Sequence, residues 1–394
     1  MESRSYPFTE PDDLVLDPAL LELQRDEPVA RVRLPFGGEA WLATRYDDVK
    51  TVLADPRFSR AAVLAPGADV PRSLPDMPTE TNILSMDPPD HTRLRKLVAK
   101  GFTLRRTERL RERAQEVVDA LLDAVEEQGP PADLVEALAM PLPITIICEM
   151  LGVPFEDRGR FRAWSDAAMA ITAFRPEEIV AANEALRDYI AGLVVAKRAD
   201  PADDMLSELV AAHDDEDRLT ERELVSFGVA LLVAGHETTA NQIGNFTYLL
   251  LRDPDRLAEL RDDPSLVPAA VEELLRFTPL GSSAGFPRIA TAEVELSGVG
   301  IAAGEAVFVN NLAANRDPSV FDRPDEVDFH REHNPHLTFG HGAHHCVGAS
   351  LARVELQVAI GTLLKRFPSL RLDGEVAFKK GRLIRGPQAL PVGW

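Results

Sequence analysis

Apolar residues recur at helical spacing through most of this chain and alternate at strand spacing only in short stretches. Between residues 107 and 213 the pattern predicts helices over Thr107–Glu127, Leu134–Leu151, Phe155–Thr172, Pro176–Ala199 and Asp203–His213. Gly152-Val-Pro154 and Arg175-Pro176 punctuate them. Shorter helices are expected at Leu16–Arg25 and Tyr46–Leu53, the second ending before Pro56. Strand spacing marks Ala30–Thr44, a hairpin about Gly37-Gly38. It returns at Val294, Leu296, Ile301, Val307 and Val309, then at Leu383-Ile384 and Ala389–Val392. From Arg60 to Met86, Pro66, Pro71, Pro75 and Pro78 predict a long irregular loop, of a kind that often carries function. The fold class is therefore mainly α with a small β region.

The longest helix is expected after Thr220. Thr220 and Glu223 form a capping box, with Leu219 and Leu224 as a hydrophobic staple. No proline follows until Pro254, so about 33 residues run on for roughly 50 Å. Val229–Ala234 is apolar throughout, which predicts burial on every side. Gly235-His236-Glu237-Thr238-Thr239 interrupts that run. A buried carboxylate is costly without partners, and mid-helix Gly and Thr weaken a helix. Such local violations tend to mark function, although Thr238 could merely bond back to a carbonyl one turn earlier.

Composition narrows the class. The 394 residues are 45% apolar, enough for a large core, and no linker or repeat divides them, so one domain over 1–394 is expected. Lys and Arg number 43 against 64 Asp and Glu, a net charge of −21 that argues against nucleic acid as a partner. Two cysteines make no disulfide framework, which fits a reducing cytoplasm. There is no signal-peptide-like start and no apolar run of the roughly 18 residues a membrane span needs.

The chemistry concentrates in Phe339-Gly-His-Gly-Ala-His-His-Cys346-Val-Gly348. Its glycines let backbone approach closely. Helical spacing begins just after it, with Leu351, Val354, Leu356, Ile360, Leu363 and Leu364. Cys346 thus stands near a helix start, where N–H groups and the dipole favour the thiolate that ligates metal. Cys148, among Ile144, Ile146, Ile147, Met150 and Leu151, reads as core. Earlier, Pro88 and Pro89 suit a helix start, and His91 and Arg95 fall four apart on one face of that helix. Such a pair can clamp a carboxylate or phosphate.

The cysteine segment resembles the haem-binding loop of the cytochromes P-450, F-G-x-G-x-[HR]-x-C-x-G, at every specified position. Ala234–Thr239 resembles that family's [AG]-G-x-[DE]-T-[TS] segment, His91–Arg95 its H-x-x-x-R element and Glu273–Arg276 its E-x-x-R pair. The resemblance covers about residues 15–394. It implies haem b between a long central helix and the cysteine-loop helix, with Cys346 as iron ligand. It implies propionate contacts from His91, Arg95, Arg288 and His344, and proton delivery on the distal face by Glu237 and Thr238. Glu273 and Arg276 would form a structural pair. Many members add an arginine in a Pro-x-Arg-Phe stretch; here Pro324-Asp-Glu326-Val327 lacks it, leaving Arg323 or Arg331 as substitutes.

The implied activity is insertion of one oxygen atom from O₂, with electrons from NAD(P)H through ferredoxin reductase and a ferredoxin. The basic run Arg93, Lys96, Lys100, Arg105 and Arg106 is the expected docking face. The expected pocket wall draws on Ile83, Leu84, Val233, Ala234, Leu280, Ser283, Leu383 and Ile384, apolar or small, suiting a large apolar substrate. The whole chain looks most like actinobacterial enzymes that tailor macrolides and other polyketides, with steroid or terpenoid hydroxylation as the alternative. A peroxygenase or isomerase is disfavoured by Glu237 and Thr238, and a non-catalytic helper by the intact Cys346. A cytoplasmic monomer is expected. Reduced protein with CO should show the long-wavelength Soret band of thiolate ligation; Cys148→Ser should keep it and Cys346→Ser should lose it. The reverse outcome would refute the assignment.

Overall fold

In the computed structural model, which describes residues 3–9, 13–68, 70–75, 82–214, 219–281 and 285–394, the backbone forms two compact units. One comprises Met1–Arg95 and Glu272–Cys346, the other Lys96–Val271 and Val347–Trp394.

The first unit is built on the expected hairpin. Val29–Arg33 pairs antiparallel with Glu39–Ala43, and Gly37 and Gly38 take the positive φ that the turn requires. The full sheet has six strands, in the order Arg4–Ser5, Val29–Arg33, Glu39–Ala43, Ala306–Val309, Arg288–Ala290, Phe58–Ser59. Because strand side chains alternate, one face sends Val29, Ala43, Ala290 and Val307 into a cluster with Val49, Val52 and Phe321. The other sends Ala30, Val32, Leu42 and Phe308 against Leu20 and Leu23 of the helix Pro18–Asp26. Both faces are therefore covered. Val294–Leu296 and Val299–Ile301 form a separate two-stranded ribbon. The expected irregular stretch contains two short 3₁₀ turns, Ala61–Leu64 and Ile83–Ser85, while residues 76–81 lie outside the described residues.

A buried ion pair anchors the loops of this unit. Arg276, fully buried, donates to Glu273 through Nε and Nη2 at 2.9 and 2.7 Å. It also donates to the carbonyls of Asn315, Pro324 and Glu326 at 2.7–2.9 Å. Arg331 supplies the missing arginine, with Nε 3.1 Å from Glu273 Oε2 and Nη1 on the Asp322 carbonyl. Arg323 does not; it stands exposed and pairs with Glu326 and Asp328. Asn315 carries the tie onward, its side chain accepting from Leu337 N–H and donating to Thr338, just before the cysteine loop.

The second unit is helical. Its 32-residue helix, Glu221–Arg252, opens on the expected capping box, Thr220 N–H donating to Glu223 at 2.7 Å and Glu223 N–H to Thr220 Oγ1 at 3.2 Å. Pro141–Leu151 packs on it, and Ala349–Arg366 lies between it and Leu104–Gln128. Gly235 permits the first approach, since a Cβ there would sit 2.7 Å from Ile147 Cγ1.

Three expectations fail here. Leu134–Leu151 is not one helix: Pro141 has no N–H to continue the ladder, so it opens a new helix behind a wide π-type turn at Val135–Ala139. The expected Phe155–Thr172 helix begins as a 3₁₀ turn and stops at Ala168. Beyond it, the N–H groups of Ile171, Thr172 and Ala173 all turn to the Gly381 carbonyl. Leu383-Ile384 is not a strand. Ile384 makes no more than an isolated bridge, the single bridges Ala170 to Arg382 and Phe378 to Pro387 lie on either side, and the last strand is Pro391–Gly393.

Glu273→Ala strands a buried guanidinium, so it should cost about 3–5 kcal/mol in urea unfolding. Arg331→Met leaves the Glu273–Arg276 pair intact and should cost clearly less. Equal losses would mean that Arg331, not Arg276, is the main partner of Glu273.

Candidate active site

The first unit presents the cysteine. Gly340 and Gly342 have φ of +73° and +70°, and Gly342–His344 makes one 3₁₀ turn. A Cβ on Gly342 would lie 2.6 Å from the Leu53 carbonyl oxygen, so only glycine fits. Cys346 N–H donates to the Phe339 carbonyl at 2.8 Å, closing the loop, and Cys346 is exposed. It precedes Gly348, the N-cap of Ala349–Arg366, by two residues. Cys148 is buried, and burial pushes its thiol up to about 12, as an inert core cysteine requires.

Cations gather about this loop. The Asp90–Ala99 helix buries His91, half-buries Arg95 and leaves Arg93 exposed. Arg95 Nη2 lies 2.5 Å from the His345 carbonyl; burial lowers its pKa, and the charge of Cys346 opposes that. The His91 and His344 rings touch, tilted by 43° with centroids 4.2 Å apart. Burial, then the charges of Arg60, His91 and Arg288, push His344 down to about 3; burial and Arg95 lower His91. Both histidines are thus neutral donors at neutral pH. Arg288, buried in its strand, is pushed down to about 10 by burial, with Asp87 opposing. Asp87 is already satisfied by the Ser59 hydroxyl and the Arg60 N–H at 2.5 and 2.8 Å. His344 Nε2 is buried without a partner. Surplus cations and an orphaned nitrogen beside an exposed cysteine fit a dianionic haem. Arg95, Arg288 and the two histidines were named from the sequence; Arg60, which no motif marks, was not.

The second unit holds the acid and the alcohol. Glu237 is 2% exposed; its Oε1 accepts from Asn241 Nδ2 at 3.0 Å and lies 3.5 Å from Lys379 Nζ. Burial opposes ionisation of Glu237, but Lys379, His236, the hydrogen bond from Asn241 and Arg382 together outweigh it and hold the carboxyl below its ordinary value. Lys379, 13% exposed, also donates to Asn241 Oδ1 at 3.0 Å, and so links the acid to the outside. Thr238 donates to the Ala234 carbonyl at 2.9 Å. His236, fully buried, contacts the Leu232 carbonyl through Nδ1 at 2.8 Å, and burial lowers its pKa. Neither Asn241 nor Lys379, the two partners of Glu237, was named from the sequence.

Of the expected pocket wall, Ile83 and Leu280 in the first unit are half-buried and Leu84 is exposed. In the second, Val233, Leu383 and Ile384 are half-buried and Ala234 is exposed. Asn245 donates to the Arg385 carbonyl at 3.1 Å, which holds the 383–387 segment on the long helix. Ser283 lies outside the described residues. Lys96, Lys100 and Arg105 are exposed, but Arg106 is taken by Glu208 and drops out of the expected basic face. Among the described residues no helix is long and apolar enough to cross a membrane.

Residues 160–380 match the family Cytochrome P450, and the chain belongs to that family of haem monooxygenases. Nocardicin C N-oxygenase of Nocardia uniformis subsp. tsuyamanensis is 54% identical over 396 residues, covering 100% of this chain and 99% of that protein. Mycinamicin IV hydroxylase/epoxidase of Micromonospora griseorubida is 48% identical, with the same coverage. The crystal structure of LnmA, a cytochrome P450 hydroxylase from the leinamycin biosynthetic pathway of Streptomyces atroolivaceus, superposes with a TM-score of 0.92. It is 54% identical and covers 99% of this chain and 100% of its own.

Lys379→Met should raise the Glu237 carboxyl, because it removes the charge that offsets burial. In infrared difference spectra taken across pH, the carboxyl band of Glu237, assigned by its loss in Glu237→Gln, should appear at higher pH in the variant. An unmoved band would dismiss Lys379 as its counter-ion.

Proposed function

We propose that this monooxygenase hydroxylates or epoxidises a large, mostly apolar natural product, a macrolide or related polyketide of secondary metabolism, in one catalytic domain over 1–394. The observation that carries the reaction class is the buried Glu237 beside Thr238, directly after the apolar run Val229–Ala234 of the long helix, supplied with a link to the outside by Lys379. The half-buried apolar positions Ile83, Val233, Leu280, Leu383 and Ile384 support the substrate class, as does the similarity to the mycinamicin IV hydroxylase/epoxidase.

In this reading Cys346 holds the iron. Arg95 and Arg288 meet the haem propionates with charge, and His91 and His344 with neutral N–H groups. Bound haem supplies the redox chemistry that activates O₂. The protein supplies protons. The Thr238 hydroxyl hydrogen is committed to Ala234, so its oxygen is free to accept from a water and hold it in place. Glu237, kept ionised by Lys379, can take a proton from outside and pass it to that water. Electrons would come from NAD(P)H through ferredoxin reductase and a ferredoxin, docking on the exposed Lys96, Lys100 and Arg105 of the second unit. The enzyme would work as a cytoplasmic monomer.

A second reading, oxidation at nitrogen, is favoured by the 54% identity to an N-oxygenase. Turnover with ferredoxin, reductase and NADPH over macrolides and amines, read by product mass, separates the two. Thr238→Ala should still bind CO and consume NADPH, yet release hydrogen peroxide in place of oxidised product. Glu237→Ala should slow the whole cycle, by about 10²–10⁴-fold. Unchanged product per NADPH in Thr238→Ala would remove Thr238 from proton handling.

A further inference from the structure

Arg60 is a cation that the haem-binding set does not require. It follows the strand Phe58–Ser59 and stands half-buried. Nε donates to the Leu84 carbonyl at 2.9 Å, Nη1 donates to the Phe286 carbonyl at 3.1 Å, and the guanidinium lies 5.2 Å from the Phe286 ring centre. Among the described residues no carboxylate pairs with it. Asp87 is the acid whose charge reaches it, but that carboxylate accepts from Ser59 and from the backbone N–H groups of Arg60 and Ala61. Arg60 lines a cavity of about 40 Å³ with Asn82, Val63, Leu64, Leu84 and Phe286. That is more than one water needs. Leu84 and Phe286, 46% and 36% exposed, offer apolar surface beside the charge.

We propose that Arg60, with Asn82 beside it, is a carboxylate subsite for the substrate, so that the enzyme prefers an apolar molecule carrying one acid group. This rests on the reading of the Ile83–Leu84 turn as substrate-pocket wall. The guanidinium binds the carboxylate, while Leu84 and Phe286 cover the adjoining hydrocarbon. Burial and the charge of Arg288 hold Arg60 down at about 9, a strain that a bound anion relieves. An apolar wall around the cavity suits a substrate acid better than a haem propionate, for which Arg95, Arg288, His91 and His344 are at hand.

The test uses the haem-loaded enzyme, with decanoate and its methyl ester as probes in calorimetry. Wild type should bind the acid about 10- to 100-fold more tightly than the ester. Arg60→Gln should abolish that preference, and Arg60→Lys should keep part of it. Equal affinities, failure of both probes to bind, or a preference that survives in Arg60→Gln would each overturn the subsite. Haem transfer to apomyoglobin should be unchanged in Arg60→Gln; loss as fast as in Arg288→Ala would make Arg60 a propionate ligand and overturn the substrate assignment. The CO band tests the underlying function separately. Its absence sinks the monooxygenase reading, whereas a normal band without acid preference sinks the subsite alone.

Discussion

The cysteine loop depends on one buried ion pair. Glu273 and Arg276 are almost wholly removed from water, where either charge alone would be severely penalised. The geometry compensates by using nearly every donor. Arg276 reaches three backbone carbonyls, and Glu273 accepts from Arg276, Arg331, Asn334 and the Asp328 N–H. The pair is therefore less a stabiliser than a hub, because the segments 315–328 and 328–338 have no regular ladder of their own. They are held where backbone groups meet this hub and Asn315. Removing one partner loosens irregular chain on both sides.

The region next to the cysteine follows the opposite electrostatic rule. There Arg60, Arg95 and Arg288 outnumber Asp87, whose lone pairs are already occupied. Burial depresses these cations, the charge of Arg288 adds to it at Arg60, and burial with the nearby cations keeps His344 neutral. An arrangement of that kind is poorly balanced alone and complete with an anionic guest. Structural charges are balanced internally; functional ones are left to be balanced by what binds.

Elements with strong periodicity were legible from the residues. Pro176–Ala199 has the expected bounds, and the long helix starts at its capping box. Boundaries failed where chain distant in sequence intervened. The Gly381 carbonyl collects three N–H groups and ends one helix early, and no local pattern announces that. Fixed spacing is what drew attention to Cys346, Glu237, Thr238, His91 and Arg95 in the sequence. Arg60, Arg331 and Lys379 were missed or left open, since each acts through a contact that spacing does not encode. Arg331 does the work of an arginine absent from its usual place, which shows that the position of a charge in space matters more than its place in the chain.

The partnership of Glu237 with Lys379 also sets an order of assembly. The long helix is complete well before its counter-charge exists, for 138 residues separate Asn241 from Lys379. At ordinary synthesis speeds that interval lasts roughly 7 to 28 seconds. During it the acid has no lysine, and the helix centre has a reason to stay wet and unpacked. Closure of this core is thus a non-local event, tied to the arrival of the segment around Lys379. The segment that tunes a proton also times the folding of the helix that carries it.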